Sequence, residues 1–305
     1  MKKLMLGTSD LSCSAISLGC MRMNGMEMAD AAEVLRTSLA CGIDFFDHAD
    51  IYGGGESEKL FAKALRETGT DRESIFLQSK CGIRKGFFDF SRAHILSSVD
   101  GILDRLETDY LDVLLLHRPD ALMEPEEIAS AFSELLEAGK VRHFGVSNQN
   151  PAQMELLRRS LDMPLVANQL QFSIAHTPMI DHGLNVNMAD APAVDRDNGV
   201  LDYCRLHGIT VQPWSPMQAG FFGGVFLGHP DYQELNEVLD DLASDRGVPA
   251  SAVAISWLLR HPAGMQPVVG SMTPSRIRDM CRACEVELSR EEWYRIYRAA
   301  GNRLP

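Results

Sequence analysis

The stretch "GIDFFDHADIYGGGESEKLF", Gly42 to Phe61, decides how the rest of the chain is read. A short apolar run ends in a carboxylate, Asp47, and a phenol follows at Tyr52. Three glycines, Gly53 to Gly55, then lead into a segment that starts with Glu56 and Glu58. The apolar run reads as a buried strand, and an acidic start suits the positive end of a helix dipole. Strand, turn and helix therefore follow one another, with two ionisable groups at the junction.

The same unit recurs outward along the chain. Eight short runs read as strands: Ala15–Leu18, Asp44–Asp47, Ile75–Ser79, Val113–Leu116, His143–Val146, Val166–Gln169, Thr210–Pro213 and Pro267–Val269. Most are continuously apolar rather than alternating, as parallel strands covered by helices on one side and a packed interior on the other require. Helical patterns fall between them, at Ala29–Ala40, Glu56–Leu65, Ser91–Leu106, Pro125–Gly139, from Pro151, and at Asp195–Leu206, Tyr232–Arg246 and Ala250–Arg260. Thr273-Pro274 opens another, running through Ala283, and Ser289 with Glu292 has the spacing of a capping box. Eight strand–helix units predict a closed (β/α)8 TIM barrel filling residues 1–305 as a single domain, with residues 1–13 as an N-terminal β-hairpin. Phe172 to Asn198 reads as a long loop after the sixth strand. No G-x-G-x-x-G follows any strand, which argues against an open dinucleotide-binding sheet.

Composition narrows the function classes. The 305 residues are 45% hydrophobic and carry a formal net charge of −13. Nucleic acid and anionic membrane surfaces need clustered Lys and Arg, so neither is an expected partner. Met1-Lys2-Lys3 precedes a mixed segment and no 18-residue apolar run occurs, so the expected location is cytoplasmic, away from the membrane. Seven scattered cysteines read as reduced thiols, and Cys281-Arg-Ala-Cys284 lacks the second ligand pair of a metal site. His117, His143 and His176 supply no H-x-H spacing, so no metal is expected.

In a (β/α)8 barrel the site lies where the strands end. The first ends in Gly19, Cys20 and Met21, the second in Asp47, the third in Lys80, the fourth in His117 and the fifth in Ser147-Asn148. The sixth ends in Gln169, the seventh in Trp214-Ser215-Pro216 and the eighth in Gly270-Ser271. A phenol titrates near 10, and a neighbouring ammonium lowers that value by stabilising the phenolate. Asp47, Tyr52, Lys80 and His117 can therefore form a proton-donating unit aimed at a carbonyl. They lack a hydride.

The stretches "FFDHADIYGGGESE", "LQSKCG", "DYLDVLLLHRPD", "AGKVRHFGVSN", "NQLQFS", "VQPWSPM" and "VVGSMTPSRIRDM" run in order over nearly the whole chain, and in them the sequence resembles the aldo-keto reductases. The resemblance implies NADP(H)-dependent reduction of aldehydes and ketones, with Tyr52 as general acid assisted by Asp47, Lys80 and His117. It puts Ser147, Asn148 and Gln169 on the nicotinamide carboxamide and Trp214 against its ring. Gly19, Cys20 and Met21 border the cofactor, as do Ser215, Pro216, Met217 and Gly220 near the pyrophosphate. Gly270, Ser271, Met272, Thr273, Arg276 and Asp279 complete the set. A helix N-terminus at Pro274 and the guanidinium of Arg276 suit a 2′-phosphate. Gly270 stands where many members have Lys, and Met280 where many have Asn, which relaxes the preference and leaves NAD(H) as a second cofactor. Met21, Met23, Phe87, Phe88, Phe90 and Trp214 are the candidates for a substrate pocket, with Met21, Phe88 and Trp214 foremost, and they favour aromatic or aliphatic carbonyls. The chain stops soon after its last helix, at "YRAAGNRLP", which reads as an open pocket. The protein is expected to be a monomer or small homo-oligomer. Some relatives of this fold are NADP(H)-binding, redox-sensing regulatory subunits, and that remains the alternative to an enzyme.

Overall fold

Eight parallel strands close on themselves in the computed structural model, which describes residues 1–220 and 223–305. The barrel strands are β3 (Ser17–Gly19), β4 (Phe45–Asp47), β5 (Phe76–Cys81), β8 (Leu111–Leu116), β9 (Val141–Ser147), β10 (Leu165–Gln171), β11 (Thr210–Trp214) and β12 (Val268–Val269), in that order around the ring. Each expected strand is present, shifted at most a few residues. Ahead of them, β1 (Lys3–Met5) and β2 (Ser12–Ser14) pair antiparallel as the N-terminal hairpin. The hairpin closes the end of the barrel where the strands begin. Leu6, Leu11 and Cys13 pack there on Phe45, Val113, Leu115 and Val166. Its turn fits tightly. Gly7 has φ +56°, and a Cβ there would sit 2.3 Å from the carbonyl oxygen of Val166.

Helices alternate with the strands: α1 (Met28–Ala40), α2 (Glu56–Thr68), α3 (Arg92–Leu106), α4 (Pro125–Glu137), α5 (Pro151–Arg158), α6 (Pro178–Leu184), α7 (Val200–Leu206), α8 (Gln233–Arg246), α9 (Ala250–Leu259), α10 (Pro274–Cys281) and α11 (Arg290–Ala299). Their starts follow local chemistry. Ser91 accepts from the His94 amide at the head of α3, and Ser289 and Glu292 form the reciprocal capping box of α11. Asn150 and Gln153 form a second box ahead of α5. Helix α9 is apolar all round because Ala252 to Leu258 are buried on every face.

Two expectations need correction. Residues 172–198 are not one loop, because Pro178 starts α6 and a 3-10 turn occupies Ala191–Ala193. The helix expected from Asp195 begins at Val200, because Asp195 and Asp197 accept backbone N–H groups as turn residues. A second hairpin, β6 (Ile83–Arg84) with β7 (Phe87–Phe88), follows β5 and was not anticipated. No helix among the described residues is long and apolar enough to cross a membrane.

Candidate active site

The C-terminal strand ends open into a cavity of about 1190 Å³. Asp47 ends β4, and Lys80 lies on the adjoining strand β5. The fully buried Lys80 Nζ donates to both Asp47 carboxylate oxygens and to the His48 carbonyl, each at 2.7 Å. The Tyr52 hydroxyl lies 3.3 Å from the same nitrogen. Tyr52 is carried on a 3-10 turn, Tyr52–Gly55, whose three glycines all have positive φ. A Cβ at Gly53 would stand 2.4 Å from the Asn24 side chain, and one at Gly55 would stand 2.6 Å from Arg105. The glycine run is therefore what lets the chain turn tightly enough to bring the phenol back over Lys80.

Burial raises the Tyr52 pKa, and Lys80 pulls it down by less, so the net direction is upward. This corrects the expectation of a lowered phenol: at neutral pH Tyr52 keeps its proton. Burial also opposes the charge on Lys80, but Asp47 and Tyr52 together outweigh it and hold the ammonium above its usual range. His117 follows β8, and its ring stands edge-on to Tyr52 with centroids 6.0 Å apart. Burial, then Lys80 and Arg118, press its pKa well below the usual value, so the imidazole is neutral. Its Nδ1 is buried and has no partner among the described residues. His48 packs its ring edge-on against Phe61 at 4.4 Å, and burial lowers its pKa to about 3. Its contribution to Lys80 is thus made by its backbone carbonyl.

A layer of amides lies beneath the pair. Gln78 Nε2 donates to Asp47 Oδ1 at 2.6 Å and to Gln212 Oε1 at 2.9 Å, and Gln169 Nε2 donates to the same carboxylate at 3.0 Å. Gln212 passes the chain to Gln266, which donates to the Ser14 carbonyl. Asp47 is therefore fixed from three sides and can only face Lys80.

Ser147, Asn148, Gln169 and Trp214 come together as expected. Ser147 Oγ donates to the Gln169 carbonyl at 2.9 Å, Asn148 Nδ2 to Ser147 Oγ at 2.7 Å, and Trp214 Nε1 to Asn148 Oδ1 at 3.0 Å. Asn148 and Ser215 hold positive φ angles, 58° and 53°, and both line the cavity. Gly19, Met21, Ser215, Pro216, Met217, Gly270, Ser271, Met272, Thr273 and Arg276 also line the cavity. A Cβ at Gly270 would meet nothing within 4 Å. Cys20 lies beneath the lining, fully buried, while Gly220 and Asp279 are not part of it. Of the pocket candidates, Met21 and Phe88 face the cavity, but Met23 and Phe90 are core residues and Phe87 points outward under Arg84. Arg22, Ile83, Arg118, Val225 and Leu227 line it too and were not anticipated. Outside the cavity, His182, Asp195 and Asp197 bring possible ligand atoms within 4.8 Å of one another, a partly exposed group that contains none of the histidines weighed for a metal.

Behind Tyr52, Glu58 is buried with Arg105 and Ser79 as partners. Asp50 adjoins it with Oδ1 buried and without a partner among the described residues. Burial first, and Glu58 second, raise the Asp50 pKa to about 7. Its contribution to stability is complete below the ordinary carboxyl value near 4 and is lost as the pH rises through about 7. Asp50→Asn should therefore leave stability unchanged near pH 4 and raise it at pH 8, by on the order of 3 kcal/mol. Urea midpoints at the two pH values check this. Equal effects at both would show that Asp50 is not held protonated.

The family model described as the aldo/keto reductase family matches residues 15–300. The uncharacterized oxidoreductase YcsN of Bacillus subtilis is 38% identical over 97% of each chain. A 6-dehydroglucose reductase of Novosphingobium aromaticivorans is 34% identical, covering 98% of this chain and 96% of its own. A crystal structure of the thermostable aldo-keto reductase Tm1743, in complex with the inhibitor epalrestat, superposes with a TM-score of 0.79 at 26% identity, covering 98% of this chain and 100% of that one. A closed parallel barrel with an N-terminal hairpin, a model match along almost its full length and relatives named as reductases together place this chain in the aldo/keto reductase family, as an oxidoreductase.

Proposed function

We propose that the chain reduces aldehydes or ketones to alcohols with NADPH, and that Tyr52 supplies the proton. The observation that carries this reading is the Tyr52 hydroxyl 3.3 Å from a buried ammonium that Asp47 and the His48 carbonyl hold in place. When bound, the reduced nicotinamide supplies a hydride for the carbonyl carbon. Tyr52 gives its phenolic proton to the carbonyl oxygen, and Lys80 stabilises the phenolate left behind. Neutral His117 offers the same oxygen an N–H, so charge that grows there is met by donors already in position. Asp47 orients Lys80 rather than exchanging a proton with substrate, since each of its oxygens already accepts hydrogen bonds.

The fit of the cofactor rests on this chain's own lining. The cavity has room for a dinucleotide beside a small substrate. Ser147, Asn148 and Gln169 would hold the carboxamide, with Trp214 against the ring. Ser271, Thr273 and the amide end of α10 would take a phosphate, beside Arg276. Open space at Gly270 and the apolar Met280 in the lining supply no second cation or amide. The preference for NADPH over NADH should accordingly rest on Arg276. Two relatives are named 6-dehydroglucose reductases, which supports carbonyl reduction in near kin.

Loss of reduced-nicotinamide absorbance, followed with NADPH and with NADH over aldehydes, ketones and dicarbonyls, tests the reading. Turnover with NADPH favoured over NADH is expected. Tight NADPH binding with no turnover on any carbonyl would overturn it in favour of a redox-sensing subunit.

A further inference from the structure

The cavity carries charge that carbonyl reduction leaves unused. Its lining includes three arginines, Arg22, Arg118 and Arg276, and a single carboxylate, Asp47. Asp47 is committed to Lys80, and Arg276, in the first turn of α10, belongs to the proposed phosphate site. Arg118 directly follows His117, on the Tyr52 side. It is half-buried, its guanidinium lies 5.6 Å from the centre of the Trp214 ring, and no ion pair among the described residues includes it. Basic composition does not account for this concentration of cations, because the chain as a whole is acidic, at −13. A cation drawn out of water without a counter-charge is costly, and a planar guanidinium recovers most when it meets a carboxylate in bidentate fashion. Ile83, Phe88 and Leu227 provide an apolar wall for the part of a ligand that carries no charge.

We propose that Arg118 anchors an anionic group of the substrate, so that the preferred carbonyl compounds are carboxylated aldehydes or ketones whose carboxylate sits on Arg118 while the carbonyl oxygen reaches Tyr52 and His117. This rests on the reductase reading and narrows it to a substrate class. It also amends the aromatic-or-aliphatic expectation drawn from the phenylalanines. The phenylalanine that reaches the cavity supplies a wall, and the arginine supplies selection.

The test compares matched substrates that differ only in charge: 4-carboxybenzaldehyde against 4-methylbenzaldehyde, and 4-oxobutanoate against butanal. The wild-type protein should favour the carboxylated member of at least one pair by about 10- to 100-fold in kcat/KM, through KM. Arg118→Leu should erase that preference, leave the neutral partner within about threefold and leave NADPH affinity within about twofold. Arg118→Lys should restore part of it. No preference in either pair, a preference that survives Arg118→Leu, or an equal loss on charged and neutral substrates would overturn the proposal. So would a loss of NADPH affinity, which would give Arg118 to the cofactor. If neither member of any pair turns over, the reductase reading fails separately. Calorimetric binding of 4-carboxybenzyl alcohol and 4-methylbenzyl alcohol to the NADP-loaded protein then reads the anchor alone. Acid-selective binding lost in Arg118→Leu upholds it, and equal or absent binding refutes it.

Discussion

Tyr52→Phe should cut kcat for carbonyl reduction by about a thousandfold, within the range that general acids contribute, while NADPH affinity changes less than about twofold. Only the hydroxyl is lost. The ring can keep its edge-on contact with His117, and Lys80 keeps its three closest acceptors, the two Asp47 oxygens and the His48 carbonyl. The fold should therefore tolerate the change, and a thermal midpoint within about 2 °C of wild type would separate lost chemistry from lost structure. The raised Tyr52 pKa adds a direction. Reduction needs the protonated phenol, so its rate should not fall from ionisation of Tyr52 between pH 6 and about 9. Alcohol oxidation needs the phenolate and should rise with pH over the same interval. A Tyr52→Phe variant that kept a tenth of the wild-type rate would move the proton donor elsewhere, first to His117.

How much of this was legible depended on which residues face which way. The barrel was legible because its strands are continuous apolar runs, and buried parallel strands leave few other sequence solutions. Asp47, Lys80 and His117 were legible as ionisable groups at or beside the ends of apolar strands, and Tyr52 as the phenol five residues beyond one of them. The layer below was overlooked although its signal was present. Gln78 lies two residues before Lys80, and residues two apart on a strand share a face, so an inward Lys80 implies an inward Gln78. Gln212 on β11 and Gln266 ahead of β12 complete a polar layer that no apolar pattern announces. The second hairpin was hidden because its strands are two residues each and its signal is confined to Lys85-Gly86. Helix α6 was hidden because seven residues carry too little periodicity, leaving Pro178 as its one marker. Arg118 lay in plain view in "HRPD", but its meaning needed the cavity, since a guanidinium says nothing of its partners until the surrounding carboxylates are placed.

Lys80→Met should be the most destabilising single change at the site, by about 3–5 kcal/mol, because it leaves the Asp47 carboxylate buried without its cation. Gln78 and Gln169 would still donate to one oxygen, but neutral donors do not replace a charge. Asp47→Asn should also destabilise, by stranding the fully buried ammonium with only the His48 carbonyl and Tyr52. The informative protein is the double variant. With both charges gone, the remaining groups are neutral, and the amide at position 47 can keep a hydrogen bond from Gln78 or Gln169. Asp47→Asn/Lys80→Met should therefore be more stable than Lys80→Met alone, with a coupling of at least about 2 kcal/mol in a urea denaturation cycle. Costs that simply add would show that the pair is not electrostatically coupled. Activity should follow a different rule. Lys80→Met and the double variant should be inactive, because neither retains the ammonium that stabilises the Tyr52 phenolate, and Asp47→Asn should be impaired because its ammonium loses the carboxylate that holds it. Recovery of stability without recovery of turnover would separate the two duties of Lys80, neutralising a buried carboxylate and stabilising the phenolate of Tyr52.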